Sequence, residues 1–212
     1  MDLSRIAAVK RGVQLEVVTI AWMAVEAAVA LGAGIAARSV LLAAFGVDSV
    51  IELLSGIVLY RRLSAESAGT AEAVERLEAR TTQISAVLLV LLSFYVVLSS
   101  LAGLALRIIP SPSAVGIAVS AAALVAMPLL ARAKRRVNRI IESPSLRADI
   151  AETVSCAYLA AVTLAGLVVA ALTGWWWVQY VAALALLLWL VPEAREALLE
   201  WRHNGPNQGV RG

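Results

Sequence analysis

A chain of 212 residues that is 61% hydrophobic and 16% charged, with a mean hydropathy of +0.84, carries more apolar surface than a soluble fold of this size could bury. The net charge of +3 and the pI near 9.4 call for no nucleic-acid partner, because the basic residues cluster between apolar stretches, as a membrane topology signal does. A single cysteine excludes an internal disulfide and leaves the redox compartment open.

A bilayer core takes about 20 apolar residues per helical span. Six segments supply them, at about 13–35, 39–60, 84–106, 113–133, 146–171 and 175–191. No stretch alternates as a strand does, and helices satisfy their own backbone in lipid. The expected fold is an all-α polytopic membrane protein with six transmembrane helices and both termini cytoplasmic. Residues 1–12 form the N-terminus, 13–192 the transmembrane domain and 193–212 a short amphipathic tail.

The first apolar stretch follows Lys10 and Arg11, as a signal peptide would. It is too long for that role and contains Glu16 and Glu26, so it is a mature span, with Glu16 solvated near the interface. Gly32, Gly34 and Arg38 are expected to break the chain between spans one and two. Pro110 and Pro112 do so between three and four, and Gly174 between five and six. Each pair is then an antiparallel hairpin. The segment 64–80 mixes Glu66, Glu72, Glu75 and Glu78 with Arg76 and Arg80, as a solvated connector would. Pro144 behind Ser143 suits a helix start. Pro192 closes span six, and Leu198, Leu199 and Trp201 give the stretch after it an apolar side for the membrane surface. The tail from His203 is expected to be disordered, and that lone histidine has no role.

Of the 18 Lys and Arg residues, only Arg38 and Arg107 fall on the side opposite the termini. The positive-inside rule places the termini and the two longer loops, which carry Arg61 and Arg62 and the run Arg132 to Arg139, in the cytoplasm. The expected location is a bacterial inner membrane, crossed several times. Trp175, Trp176, Trp177 and Tyr180 open span six as an aromatic belt at the outer interface. The basic run is a topology signal in contact with anionic lipid.

Several residues do not belong in lipid. An ionisable group at the bilayer centre costs about 2.5–3.5 kcal/mol on insertion scales. Span one carries Glu26, span two Asp48 and Glu52, and span five Asp149, Glu152 and Cys156, with no Lys or Arg expected at matching depth. A cation or bound protons would be the missing partner. Asp48 and Glu52 are four residues apart, as are Glu152 and Cys156, so each pair projects from one helix face. Spans two and five run antiparallel, which brings Asp48 to the depth of Cys156 and Glu52 to that of Glu152. Four donors suit a tetrahedral ion such as Zn²⁺, and Fe²⁺, Mn²⁺, Co²⁺ or Cd²⁺ are compatible. The thiolate disfavours Mg²⁺ and Ca²⁺. Asp149, nearer the cytoplasm, is a candidate for entry or proton relay, and so is Glu26 from span one. The bland alternatives are polar contacts between helices for Asp48, Glu52 and Glu26, a headgroup-facing acid for Glu152, a helix-start acid for Asp149 and inert packing for Cys156.

The stretch from Ala44 through Asp48 and Glu52 to Gly56, together with Ser145-Leu-Arg-Ala-Asp149-Ile-Ala-Glu152-Thr-Val-Ser-Cys156, resembles the span-two and span-five signatures of the cation diffusion facilitator family. The resemblance covers about residues 13–192 and implies a six-span exporter whose transport site lies between spans two and five. Glu52 stands where the family has a second Asp, Glu152 where it has His or Asp, and Cys156 where it has Asp. The resemblance is to a short form, since the cytoplasmic metallochaperone-like domain common in the family is not matched. Dimerisation through transmembrane helices is then the expected route to a homodimer.

The implied function is export of a divalent transition metal, Zn²⁺ favoured, by proton antiport. The metal is a transported substrate and no permanent cofactor is expected, nor an enzymatic activity. Partners are the ion, protons and the bilayer. A membrane metal sensor or complex subunit that does not transport is the alternative. A carrier of small organic cations ranks last, because few aromatics lie away from the interface.

Overall fold

The computed structural model describes the backbone of residues 3–68 and 72–204, with side chains outside 3–6, 65–86, 144, 145, 148, 197 and 200–204. Six helices follow in chain order: α1 Leu3–Ala37, α2 Val40–Ala68, α3 Glu72–Ala105, α4 Ala114–Ile141, α5 Pro144–Thr173 and α6 Val178–Asn204. All six are long and apolar enough to cross a membrane, and the chain is a multi-pass integral membrane protein. The even number of spans puts both chain ends on one side, here called the terminal end; the other is the distal end. The side chains of the acidic–basic connector, of Trp201 and His203, and the whole stretch from 205 lie outside the described residues.

The helices run past the apolar stretches that predict them. α1 begins at Leu3 rather than near 13, and α6 continues through Pro192 to Asn204. Pro192 therefore does not end the last span, and Pro128 likewise sits inside α4. Proline is tolerated in such helices when neighbouring groups satisfy the freed carbonyl. Pro144 is the first helical residue of α5, behind the N-cap Ser143, as expected.

The turns need two corrections. Gly32 and Gly34 do not break the chain, since α1 runs on to Ala37 and the turn is made at Arg38, whose φ is +52°. Gly34 serves close approach instead: a Cβ there would stand 2.7 Å from the Ala43 backbone nitrogen of α2. Second, α3 and α4 follow each other in sequence but do not pair; α3 packs on α6 and α2, while α4 packs on α5 and α1. Their connection spans residues 106–113 and lets α4 cross to the other side of the bundle. Gly174, at φ +70°, caps α5 as expected.

α2 is the centre of the bundle, touching α1, α3, α5 and α6. Leu41, Leu42, Ala44, Phe45, Asp48 and Ser49 are all buried along it. The distal end is tied by three hydrogen bonds. Ser39 Oγ donates to Gln179 Oε1 at 2.7 Å, the Ser111 amide to the Ala37 carbonyl at 2.8 Å, and Tyr180 Oη to the Ile108 carbonyl at 2.8 Å. Tyr180 is thus buried and not part of the aromatic belt; the exposed, stacked pair Trp175 and Trp177 keeps that position. The tyrosine turns inward because Gly103 of α3 leaves room for its ring.

Candidate functional site

α1 and α4 each bury a stripe with helical spacing. On α1 it runs Gly12, Glu16, Thr19, Met23, Glu26 and Ala30; on α4 it runs Ala123, Met127, Ala131, Lys134, Val137 and Ile141. A residue in register with such a stripe is carried into the bundle whatever its charge. Together with α2 and α5, these stripes arrange the intramembrane acids in three tiers.

The innermost tier lies where α2 meets α5. Donor atoms of Asp48, Glu52 and Cys156 all fall within 4.8 Å of one another. Asp48 and Cys156 are buried and Glu52 is partly so. The Cys156 thiol donates to Glu26 Oε1 at 3.5 Å and also hydrogen-bonds Glu52. Glu26 is further held by Ser49 Oγ at 2.8 Å and by the Trp22 indole at 2.5 Å. Among the described residues, the charged neighbours of Asp48 and Glu52 are carboxylates: Glu26 and Glu152 around both, with Glu193 besides near Asp48.

One turn towards the terminal end, Glu152 accepts a hydrogen bond from the Ser55 hydroxyl. It stands apart from the three mutually close donors, so the expected fourth ligand is not brought to them. The reason is packing. α2 lies chiefly along α1, and α5 chiefly along α4, so α2 and α5 meet over a short stretch. Beside Glu52, the second acid hydrogen-bonded to Cys156 is Glu26, from α1. Glu193 of α6 joins this middle tier, within electrostatic range of Asp48 and Glu152 and hydrogen-bonded by Trp189. It becomes visible only when α6 is followed past Pro192.

The outer tier overturns the expectation that no cation lies among the acids. Lys134 has 0% exposure and bridges two helices, its Nζ 2.5 Å from Asp149 Oδ2 on α5 and 3.2 Å from Glu16 Oε1 on α1. Glu16 is fully buried, not solvated. Asp149 is the counter-ion of Lys134 and lies outside the inner tier. The signal for this triad was present in the sequence: Lys134 is in register with Ala131 and Val137, whereas its neighbours Arg132, Arg135, Arg136 and Arg139 all point outward.

An ion bound by oxygen and sulfur at about 2.0–2.3 Å in tetrahedral geometry sets its donors about 3.3–3.8 Å apart. The Asp48, Glu52 and Cys156 atoms need a contraction of only about 1 Å to reach that spacing, within the range of side-chain torsions. A soft thiolate beside two carboxylates is a donor set for a d-block dication. No protein-family model and no curated protein sequence matches the chain.

Proposed function

We propose that the chain is a secondary transporter that exports a divalent transition-metal cation, Zn²⁺ first among them, from the cytoplasm in exchange for protons. The observation that carries this reading is the inner tier: three carboxylates and a thiol, held at the crossing of α2 and α5, with no cationic partner among the described residues, while the buried Lys134 is committed to the outer tier. Each ionised acid left alone at such a depth costs about 2.5–3.5 kcal/mol. A dication or protons would remove that cost, and a site that accepts either in turn is an exchange site.

The hydrogen bonds support a route for the thiol proton. Cys156 binds a metal only as thiolate, so its proton must leave on binding. It already points at Glu26, which would take it without passing through solvent. Asp48 and Glu52 as carboxylates and Cys156 as thiolate then place three negative charges around one dication, with the displaced proton kept on Glu26. When protons return to the two carboxylates and Glu26 gives its proton back to the thiolate, the ion loses all three donors and leaves. Glu152, Glu193, Asp149 and Glu16 lie between this site and the terminal end, and the positive-inside bias supports a cytoplasmic terminal end. The distal end, pinned by Ser39, Gln179 and Tyr180, would have to open for release.

The test is metal-driven proton flux in proteoliposomes across a panel of Zn²⁺, Fe²⁺, Mn²⁺, Co²⁺ and Cd²⁺. Wild-type protein is expected to move protons against the metal gradient, and Asp48→Ala and Glu52→Ala to abolish that flux. Cys156→Asp is expected to reorder the metals, weakening Cd²⁺ most because it replaces soft sulfur with oxygen. Flux undiminished in both carboxylate variants would remove the assigned site. Metal binding without any flux would make the protein a sensor or subunit instead.

A further inference from the structure

Where α4 ends and α5 begins, the terminal end of the bundle carries an open cavity of about 750 Å³, outside the acid tiers. Arg135 and Arg139 of α4 and Arg147 of α5 line it, joined among the described residues by one acid, Glu142. The helix ends set this geometry. Arg135, Asn138, Arg139 and Glu142 follow one another at helical spacing on one face of α4. Glu142 then takes a left-handed conformation at φ +55°, and Ser143 caps α5 so that Arg147 returns to the same opening. Asn138 Oδ1 accepts from the Ser143 amide at 2.9 Å and holds the corner in place. Among the described residues, no ion pair engages any of the three arginines.

Three unpaired guanidinium groups around one opening make an anion site, and the planar fork of arginine suits the oxygens of a phosphate. The chemistry below the arginines says which phosphate. On α5, Arg147 is followed at helical spacing by Ala151, Val154 and Tyr158, all exposed. Charge at the membrane boundary with an uninterrupted apolar stripe running into the bilayer matches a molecule with an anionic phosphate head and acyl chains. We propose that this cavity is a binding site for an anionic phospholipid, whose headgroup phosphate is gripped by Arg135, Arg139 and Arg147. Its position beside the Lys134–Asp149 pair lets the bound lipid brace the α4–α5 corner that closes the outer acid tier.

The test uses delipidated protein in detergent and native mass spectrometry, titrating phosphatidylglycerol, phosphatidylcholine and, separately, inorganic phosphate. Wild type is expected to retain phosphatidylglycerol over phosphatidylcholine. Arg135→Gln/Arg139→Gln/Arg147→Gln is expected to lose roughly a hundredfold in phosphatidylglycerol affinity, a factor of about five per arginine at an anionic surface. The charge-matched control Arg61→Gln/Arg132→Gln/Arg136→Gln removes three arginines that do not line the cavity, and should bind as wild type does. Should the triple variant fail to fold, Ala151→Trp fills the cavity without changing charge and should lower phosphatidylglycerol binding alone. Equal losses in the triple variant and its control would overturn the site. So would retention in Ala151→Trp, or inorganic phosphate competing at the same concentration as the lipid.

Discussion

Replacing Lys134 by methionine keeps the length and apolar stem of the side chain and removes its charge. Glu16 and Asp149 would then face each other across α1 and α5, buried, with no cation between them. Removing one partner of a buried ion pair costs about 3–5 kcal/mol, because the remaining charge stays out of water uncompensated. Here two charges remain, so the upper half of that range applies, equivalent to a fall in Tm on the order of 10 °C for a domain of this length. The expected cost comes from the stranded acids rather than from the lost bond itself. Lys134→Met combined with Glu16→Gln and Asp149→Asn should therefore be more stable than Lys134→Met alone, although it alters two further buried residues. Thermal unfolding in detergent, followed by tryptophan fluorescence, measures both steps. Added salt should leave the differences unchanged, since it screens buried pairs little. A Lys134→Met protein as stable as wild type, or a triple variant weaker than the single one, would refute the assignment of Lys134 as the cation that neutralises the outer tier.

Glu26→Gln leaves one oxygen, which can accept from Ser49 or from the Trp22 indole but not from both, and removes the base that takes the thiol proton; Zn²⁺ affinity by isothermal titration calorimetry should fall about 10- to 100-fold, with the protein still folded. Gly46→Val should cost about 1–3 kcal/mol or more and loosen metal binding, because a Cβ there would stand 2.8 Å from the Leu31 backbone nitrogen and push α2 off α1 beside Asp48. Gly32→Ala, where a Cβ meets nothing within 4 Å, should be neutral or stabilising in the same melting assay. Tyr180→Phe removes the hydrogen bond to Ile108 and should lower stability by about 0.5–1.5 kcal/mol.

The six spans were legible because lipid imposes a length and a hydropathy that no other environment demands. The pair Asp48 and Glu52, and its meeting with Cys156, followed from helical spacing and antiparallel topology. What escaped was decided by packing. Glu152 was matched to Glu52 by counting residues, yet the crossing of α2 and α5 brings only Cys156 to the acids and leaves Glu152 facing Ser55. Lys134 was hidden in a run of basic residues whose summed charge speaks of topology, and only its register with Met127, Ala131 and Val137 separates it from its neighbours. Glu193 lies beyond Pro192, and the expectation that this proline closes span six leaves it outside the membrane; proline ends helices less often in spans. In each case the helix face, which only the packing settles, decides what the residue meets.

X-ray absorption at the zinc edge of Zn²⁺-loaded protein reads out whether Asp48, Glu52 and Cys156 hold a transition metal together. Wild type should show one sulfur at about 2.3 Å with oxygens at about 2.0–2.2 Å. Cys156→Ala should lose the sulfur and keep oxygens, and Asp48→Asn/Glu52→Gln should fail to load stoichiometrically. A wild-type spectrum with no sulfur, or one that the carboxylate variant reproduces unchanged, would mean that these three residues do not hold the ion.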